Sequence, residues 1–275
     1  MSSDEVSARR WRLVVVGLSA GVLSGLLGVG GGIIIVPGLV WAAGIDRHLA
    51  TGTSLLAILP IAIVGTATYE LAPGGAFDLE ASAVLVAGSL VGAVYGTRIN
   101  ARVSARALRV GLALLGAVFG ARMVIPFGFG DGAETLPLDA ATLVLLVFLG
   151  VVGGVLAGLL GVGGSMIMIA VIVLVLGTSQ VLAQGVALAT VIPTVIVAAT
   201  LHHRQGTLVP GLGLAVGAAG MLGAVPGALL AFALPTDLLR TAFGAFLIFF
   251  GVRVLRAERG RPADDEREAA PAEPA

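Results

Sequence analysis

Two short glycine clusters carry the spacing best suited to binding chemistry: Gly28-Val29-Gly30-Gly31-Gly32 and Gly161-Val162-Gly163-Gly164-Ser165. Each precedes an apolar run expected to be helical. Consecutive glycines remove side chains and permit positive φ, so a helix is expected to break there. The first N–H groups of the helix that follows have no intrahelical partner and sit at its positive dipole end, which suits an oxyanion. Glycine also lets the oxygens of an anion approach the backbone. The expected binding set therefore includes Gly28, Gly30, Gly31, Gly32, Gly161, Gly163 and Gly164, with the Ser165 hydroxyl as an added donor. The upstream glycines Gly17, Gly21, Gly25 and Gly150, Gly154, Gly158 have the small-xxx-small spacing of close helix packing, and packing is their expected role. No lysine follows either cluster, so neither is a nucleotide-phosphate loop.

Thr51, Thr53 and Ser54 open the next apolar span, and Gln184 and Thr190 occupy the corresponding span of the second half. Hydroxyls and amides there either donate to an anion or bond between helices. Pro60 and Pro193 recur at one place in their spans, where proline frees a carbonyl and bends the helix, for shape or for gating. Tyr69, His202, His203 and Arg204 fall at span ends and are expected to be interfacial anchors. The chain has no cysteine, and no Asp or Glu lies inside an apolar span, so a thiol nucleophile and an intramembrane carboxylate relay are excluded. Without a nucleophile–base pair or a ligand cluster at depth, no enzyme, cofactor or metal site is expected.

The elements that must hold these residues are membrane helices. Hydrophobic residues make up 57 % of the 275, charged residues 12 %, and glycine occurs 41 times. A soluble domain typically carries about 25 % charged residues. Residues 21–32 and 154–165 are identical at ten of twelve positions, at an offset of 133. The same offset aligns Gly52 with Gly185 and Pro60 with Pro193. An offset of 131 then pairs Gly75 with Gly206, Gly92 with Gly223, Gly96 with Gly227 and Phe119–Arg122 with Phe250–Arg253.

The expected fold is an all-α membrane protein of two repeats. Each repeat is a glycine-broken segment (12–44, 142–177) followed by three spans, at 49–68, 80–98 and 106–125, then 183–201, 209–233 and 238–255. The corresponding divisions are a cytoplasmic N-terminus (1–11), repeat 1 (12–125), an extracytoplasmic connector (126–141), repeat 2 (142–256) and a disordered cytoplasmic tail (257–275). If the broken segment folds back as a hairpin of half-helices or short spans, Arg98, Arg102, Arg106 and Arg109 lie on the same side as Arg9, Arg10 and Arg12. Glu70, Asp78, Asp131, Glu134 and Asp139 then lie opposite. The positive-inside rule prefers this arrangement, which inverts the second repeat relative to the first. Inverted repeats with interrupted helices are a transporter architecture with substrate at the repeat interface. The termini are then cytoplasmic and the chain multi-pass.

The twin GLLGVGGG and GLLGVGGS motifs, the two-unit layout and the length resemble the sulfite exporter TauE/SafE family over about residues 12–256. The resemblance implies a plasma-membrane permease exporting sulfite, an organosulfonate or a related sulfur-containing or organic anion, by alternating access at the repeat interface. An anion channel of the same architecture is the alternative. The partners expected are a small anionic substrate and the lipid bilayer. A homo-oligomer stays open, and zero net charge argues against nucleic acid.

Overall fold

The computed structural model describes residues 3–99, 105–125, 132–136 and 138–259. Among the described residues ten helices follow in order: α1 (Ser3–Leu27), α2 (Gly32–Ala43), α3 (Arg47–Leu71), α4 (Leu79–Ile99) and α5 (Ala105–Val124), then α6 (Ala140–Leu160), α7 (Ser165–Leu176), α8 (Gln180–Arg204), α9 (Pro210–Ala233) and α10 (Thr236–Arg259). Seven of them are long and apolar enough to cross a bilayer. The two sets of five match helix for helix at the sequence offsets. So do the caps: Asp46 accepts from His48 N and Leu49 N at the start of α3, and Ser179 accepts from Leu182 N at the start of α8.

The broken segment folds back, but it is neither of the two forms expected, a pair of half-helices or a pair of short spans. α1 and α6 are full-length, and only α2 and α7 are short, with 12 residues each. At 1.5 Å per residue these reach about 18 Å, well short of a ~30 Å hydrocarbon core. The cause is that the apolar run ahead of each glycine cluster is already one span long. α2 then folds back on α1: Gly31 lies against Ala20, Gly38 against Val16, and the Arg12 guanidinium sits 5.2 Å from the centre of the Trp41 ring. α7 likewise returns along α6, with Gly164 and Met168 against Gly153. At the far end α10 continues to Arg259, past the expected limit of its span. The expectations for Asp131, Arg102 and the tail beyond Arg259 fall outside the described residues.

Packing exchanges elements between the repeats. α1 packs along α9 and α6 along α4, while α3 pairs with α8 and α5 with α10. The small-residue rows make the first two contacts. Backbone of Gly220 lies where a Cβ at Gly21 would be, and the Ser89 carbonyl where a Cβ at Gly154 would be. Dispersion between closely approached backbones is what holds helices together where lipid is as apolar as leucine. In the central pair, Gly52 lies against His202, Gly65 against Leu188 and Gly185 against Tyr69, so α3 and α8 run antiparallel. The loops following α3 and α8 each tuck back on the opposite repeat: the Ala76 carbonyl meets Gly185, and the Thr207 carbonyl meets Gly52.

Outside the spans, Asp139 caps α6 by accepting from Thr142 N at 2.8 Å. That hydrogen bond holds its carboxyl below the usual aspartate range. A depressed folded pKa contributes stability above the unfolded value, and the contribution is lost as pH falls through the folded one. Asp139→Ala is therefore expected to speed amide exchange at Thr142 at neutral pH. The difference from the parent chain should vanish in acid, and a difference independent of pH would refute the cap.

Candidate functional site

The two glycine breaks meet in the middle of the fold. A Cβ on Gly32 would overlap the Gly161 carbonyl and come 2.7 Å from Val162 Cα, and one on Gly30 would lie 3.7 Å from Val162 O. Ile58 on α3 and Val191 on α8, equivalent at offset 133, line this junction: Ile58 approaches Gly30 and Val191 approaches Gly163. The chain turns here through positive φ at Gly28, Gly30 and Gly31, then again at Gly161, Gly163 and Gly164. Gly31 (φ 75) and Gly164 (φ 72) are the N-cap residues of α2 and α7, and neither helix start has a side-chain cap. At the start of α2, Ile34 N and Ile35 N both turn to Gly31 O; the N–H groups ahead of them in such a helix have no intrahelical partner.

Each break is held from one side by its own repeat. Tyr69 Oη, at the end of α3, lies 2.8 Å from Gly25 O. His202 Nε2, at the end of α8, lies 3.1 Å from Gly158 O. Both pairs are related by the offset of 133, and both serve a carbonyl in the last turn before a break, where the intrahelical acceptor pattern has ended. Since a carbonyl only accepts, His202 Nε2 carries the proton. Nδ1 lies 2.8 Å from Thr207 Oγ1, and the ring stands edge-on to His48 with centroids 6.2 Å apart. Tyr69 and His202 are fully buried, so the interfacial role expected for them is corrected; His203 and Arg204 are exposed. A span end lies at depth here because the loops beyond it fold back over the opposite repeat. The signal available in the sequence was the shared offset of an aromatic tyrosine and a histidine.

The polar candidates do not form one cluster; they divide between two unlike halves. On the Gly161 side the hydroxyls are engaged within the protein. Ser54 Oγ lies 2.8 Å from Gly161 O and 2.7 Å from Thr51 O, Thr51 Oγ1 donates to Arg47 O, and Thr53 Oγ1 accepts from Val209 N. Thr190 Oγ1 donates to Val186 O within its own helix. Pro60 packs on α9 beside Gly217, a contact that shapes the α3–α9 interface; Pro193 lies inside α8.

The Gly28 side is different. Gln184 Cβ and Cγ lie 2.9 Å from where a Cβ on Gly28 would be, and so does Ile169 Cδ1, one turn past Ser165 on α7. Tyr69 Oη is 2.6 Å from Gln184 Oε1, while Gln184 Nε2, Ser165 Oγ and Ser24 Oγ are buried without a partner. Ser165 opens its helix, so no upstream turn offers it a carbonyl. Leaving such a group unpaired costs about 1–3 kcal/mol. The positions equivalent to Ser24 and Ser165 in the other half are Ala157 and Gly32.

Comparison with known proteins places these features in context. A family model described as "Sulfite exporter TauE/SafE" matches residues 2–123 and 146–274, covering both repeats. The "Probable membrane transporter protein YunE" of Bacillus subtilis (strain 168) is 26 % identical over 181 residues, 57 % of this chain and 64 % of that one. A "Probable membrane transporter protein" of Xylella fastidiosa (strain 9a5c) is 33 % identical over 90 residues, 33 % of this chain and 34 % of that one. The chain thus spans less than two thirds of these relatives. No solved structure matches it. With a family match across both halves, and seven helices among the described residues long and apolar enough to cross a bilayer, the chain belongs to the sulfite exporter TauE/SafE family of membrane transporters.

Proposed function

We propose that the chain carries a small oxyanion across the plasma membrane by alternating access at the interface of two inverted repeats, with sulfite, organosulfonates and related anions as the substrate class. The observation that carries this reading is a pair of buried polar atoms without a partner: Ser165 Oγ, at a helix start without a side-chain cap, and one end of the Gln184 amide, whose side chain lies against Gly28. The antiparallel course of the equivalent helices α3 and α8 supports inversion. So does the exchange of α1 and α6 onto α9 and α4. In this reading both termini and the arginines at 98–109 face the cytoplasm. Interrupted helices with their N-termini at the repeat interface suit an anionic group there. Ile58 and Val191, packed across the junction of the breaks, favour a carrier that rearranges over a continuous anion pore. One anion binds, on the Gly28 side, because the Gly161 side has used its hydroxyls internally.

The test is sulfite counterflow in proteoliposomes. Ser165→Ala is expected to weaken half-saturation roughly tenfold, the effect of one lost hydrogen bond to a charged ligand. Unchanged counterflow in that variant would overturn the site, and flux that neither saturates nor shows counterflow would favour a channel.

A further inference from the structure

Resting on the anion site just described, the geometry points to Gln184 presenting its amide oxygen, not its nitrogen, to the ligand, so that the site selects oxyanions retaining one acidic proton over fully ionised sulfonates. Tyr69 Oη lies within hydrogen-bond distance of both Gly25 O, at 2.8 Å, and Gln184 Oε1, at 2.6 Å. Both are acceptors, and a phenol carries one proton. In that arrangement one of the two short contacts sets lone pair against lone pair inside a dry core. A half-turn of the amide exchanges Nε2 and Oε1 in nearly the same volume. Tyr69 then donates to Gly25 O and accepts from Gln184 Nε2, and both contacts become hydrogen bonds.

The consequence falls on the other end of the amide. The unpartnered end of the Gln184 side chain, whose Cβ and Cγ lie against Gly28, is now held by Oε1, a pure acceptor. α7 approaches the same glycine through Ile169 Cδ1, and one turn before Ile169 it opens with the Ser165 hydroxyl, buried without a partner, at a helix start that has no side-chain cap. Donors on one side and a carbonyl acceptor on the other match an oxygen acid that has lost one proton and kept one. A sulfonate has three oxygens that only accept, so one of them would face the Gln184 carbonyl unpaired. Tyr69 acts as a positioning residue, fixing which end of the amide the ligand meets.

Three variants and two probes test this, with sulfite and methanesulfonate competing for binding to the purified full chain in mildly acidic buffer, where sulfite is a monoanion. The parent protein is expected to bind sulfite roughly ten- to a hundredfold more tightly, the discrimination of one unpaired buried polar group. Gln184→Leu should erase most of that preference. Tyr69→Phe frees the amide to turn its nitrogen to the ligand, so methanesulfonate should bind several-fold better while sulfite weakens. A purely structural role for Tyr69 would weaken both probes together. Equal affinities in the parent protein, or a Tyr69→Phe variant with unaltered preference, would overturn the acceptor assignment. If Ser165→Ala still weakens both probes, the anion site itself stands. No binding of either probe, with Ser165→Ala indistinguishable, would overturn the anion reading as well.

Discussion

Gly164→Ala is expected to abolish transport and to lower the melting temperature in detergent sharply, whereas Gly163→Ala and Gly177→Ala should be milder. All three glycines have positive φ, at 72, 88 and 65 respectively. An L-residue in that region costs about 1–2 kcal/mol. The surroundings separate them. A Cβ on Gly164 would overlap the backbone of Gly153, on Gly163 it would meet only Val191 at 3.7 Å, and on Gly177 it would meet nothing within 4 Å. The Gly153 backbone cannot step aside without prising α7 from α6, so the hairpin opens and the α7 start is displaced. Gly31→Ala should fall between, because its nearest atom is Ala20 O at 2.9 Å. Equal losses in all of these variants would show that strain alone matters and that hairpin closure does not.

The second large effect is expected at the contact between repeats. Gly154→Leu should separate α4 from α6, because the Ser89 carbonyl already occupies the Cβ position and Ala93 N lies 2.8 Å from it. Overpacking a core usually costs 1–3 kcal/mol, and a clash against backbone on both sides belongs at or beyond the top of that range. The hydrogen bond between Thr194 Oγ1 and Ser89 Oγ, 2.7 Å, should be lost with it. Gly111→Leu is the control, since nothing lies within 4 Å there. Size-exclusion chromatography and thermal unfolding in detergent should show an expanded, less stable Gly154→Leu protein and a Gly111→Leu protein like the parent. Parent-like behaviour of Gly154→Leu would refute the small-residue contact as the joint between repeats.

Hydroxyl and carboxylate positions follow different logic in this chain. Thr51, Thr53, Ser54 and Thr190 satisfy the bilayer's demand that every polar group find an internal partner. Among the described residues, the buried hydroxyls left without a partner are those of Ser24, Thr66 and Ser165, and at each of these places the other repeat has no hydroxyl (Ala157, Ala199 and Gly32). His202 shows the same economy from the other direction. It is a buried titratable group that stands where the first repeat has Tyr69, and it makes the same bond to a helix-end carbonyl.

The sequence by itself determined the repeat, the helical class, the two breaks and the packing role of the upstream glycines. Those follow from properties each stretch of chain carries locally: apolar length against bilayer thickness, the absence of side chains at the breaks, and self-similarity at a fixed offset. It also indicated, through arginine placement, that the broken segment should fold back. Tertiary structure alone decided that the break follows a full-length helix, that α1 and α6 pack in the opposite repeat, and that Tyr69 and His202 are buried carbonyl partners instead of interfacial anchors. It also decided that the polar candidates divide into a closed half and an open one. These are questions of which group faces which across more than 100 residues of chain, as with Ser54 on Gly161 and Tyr69 on Gln184. A hydroxyl looks the same in sequence whether its bond is made or not; the difference is set by whether a carbonyl from a distant helix arrives within 3 Å.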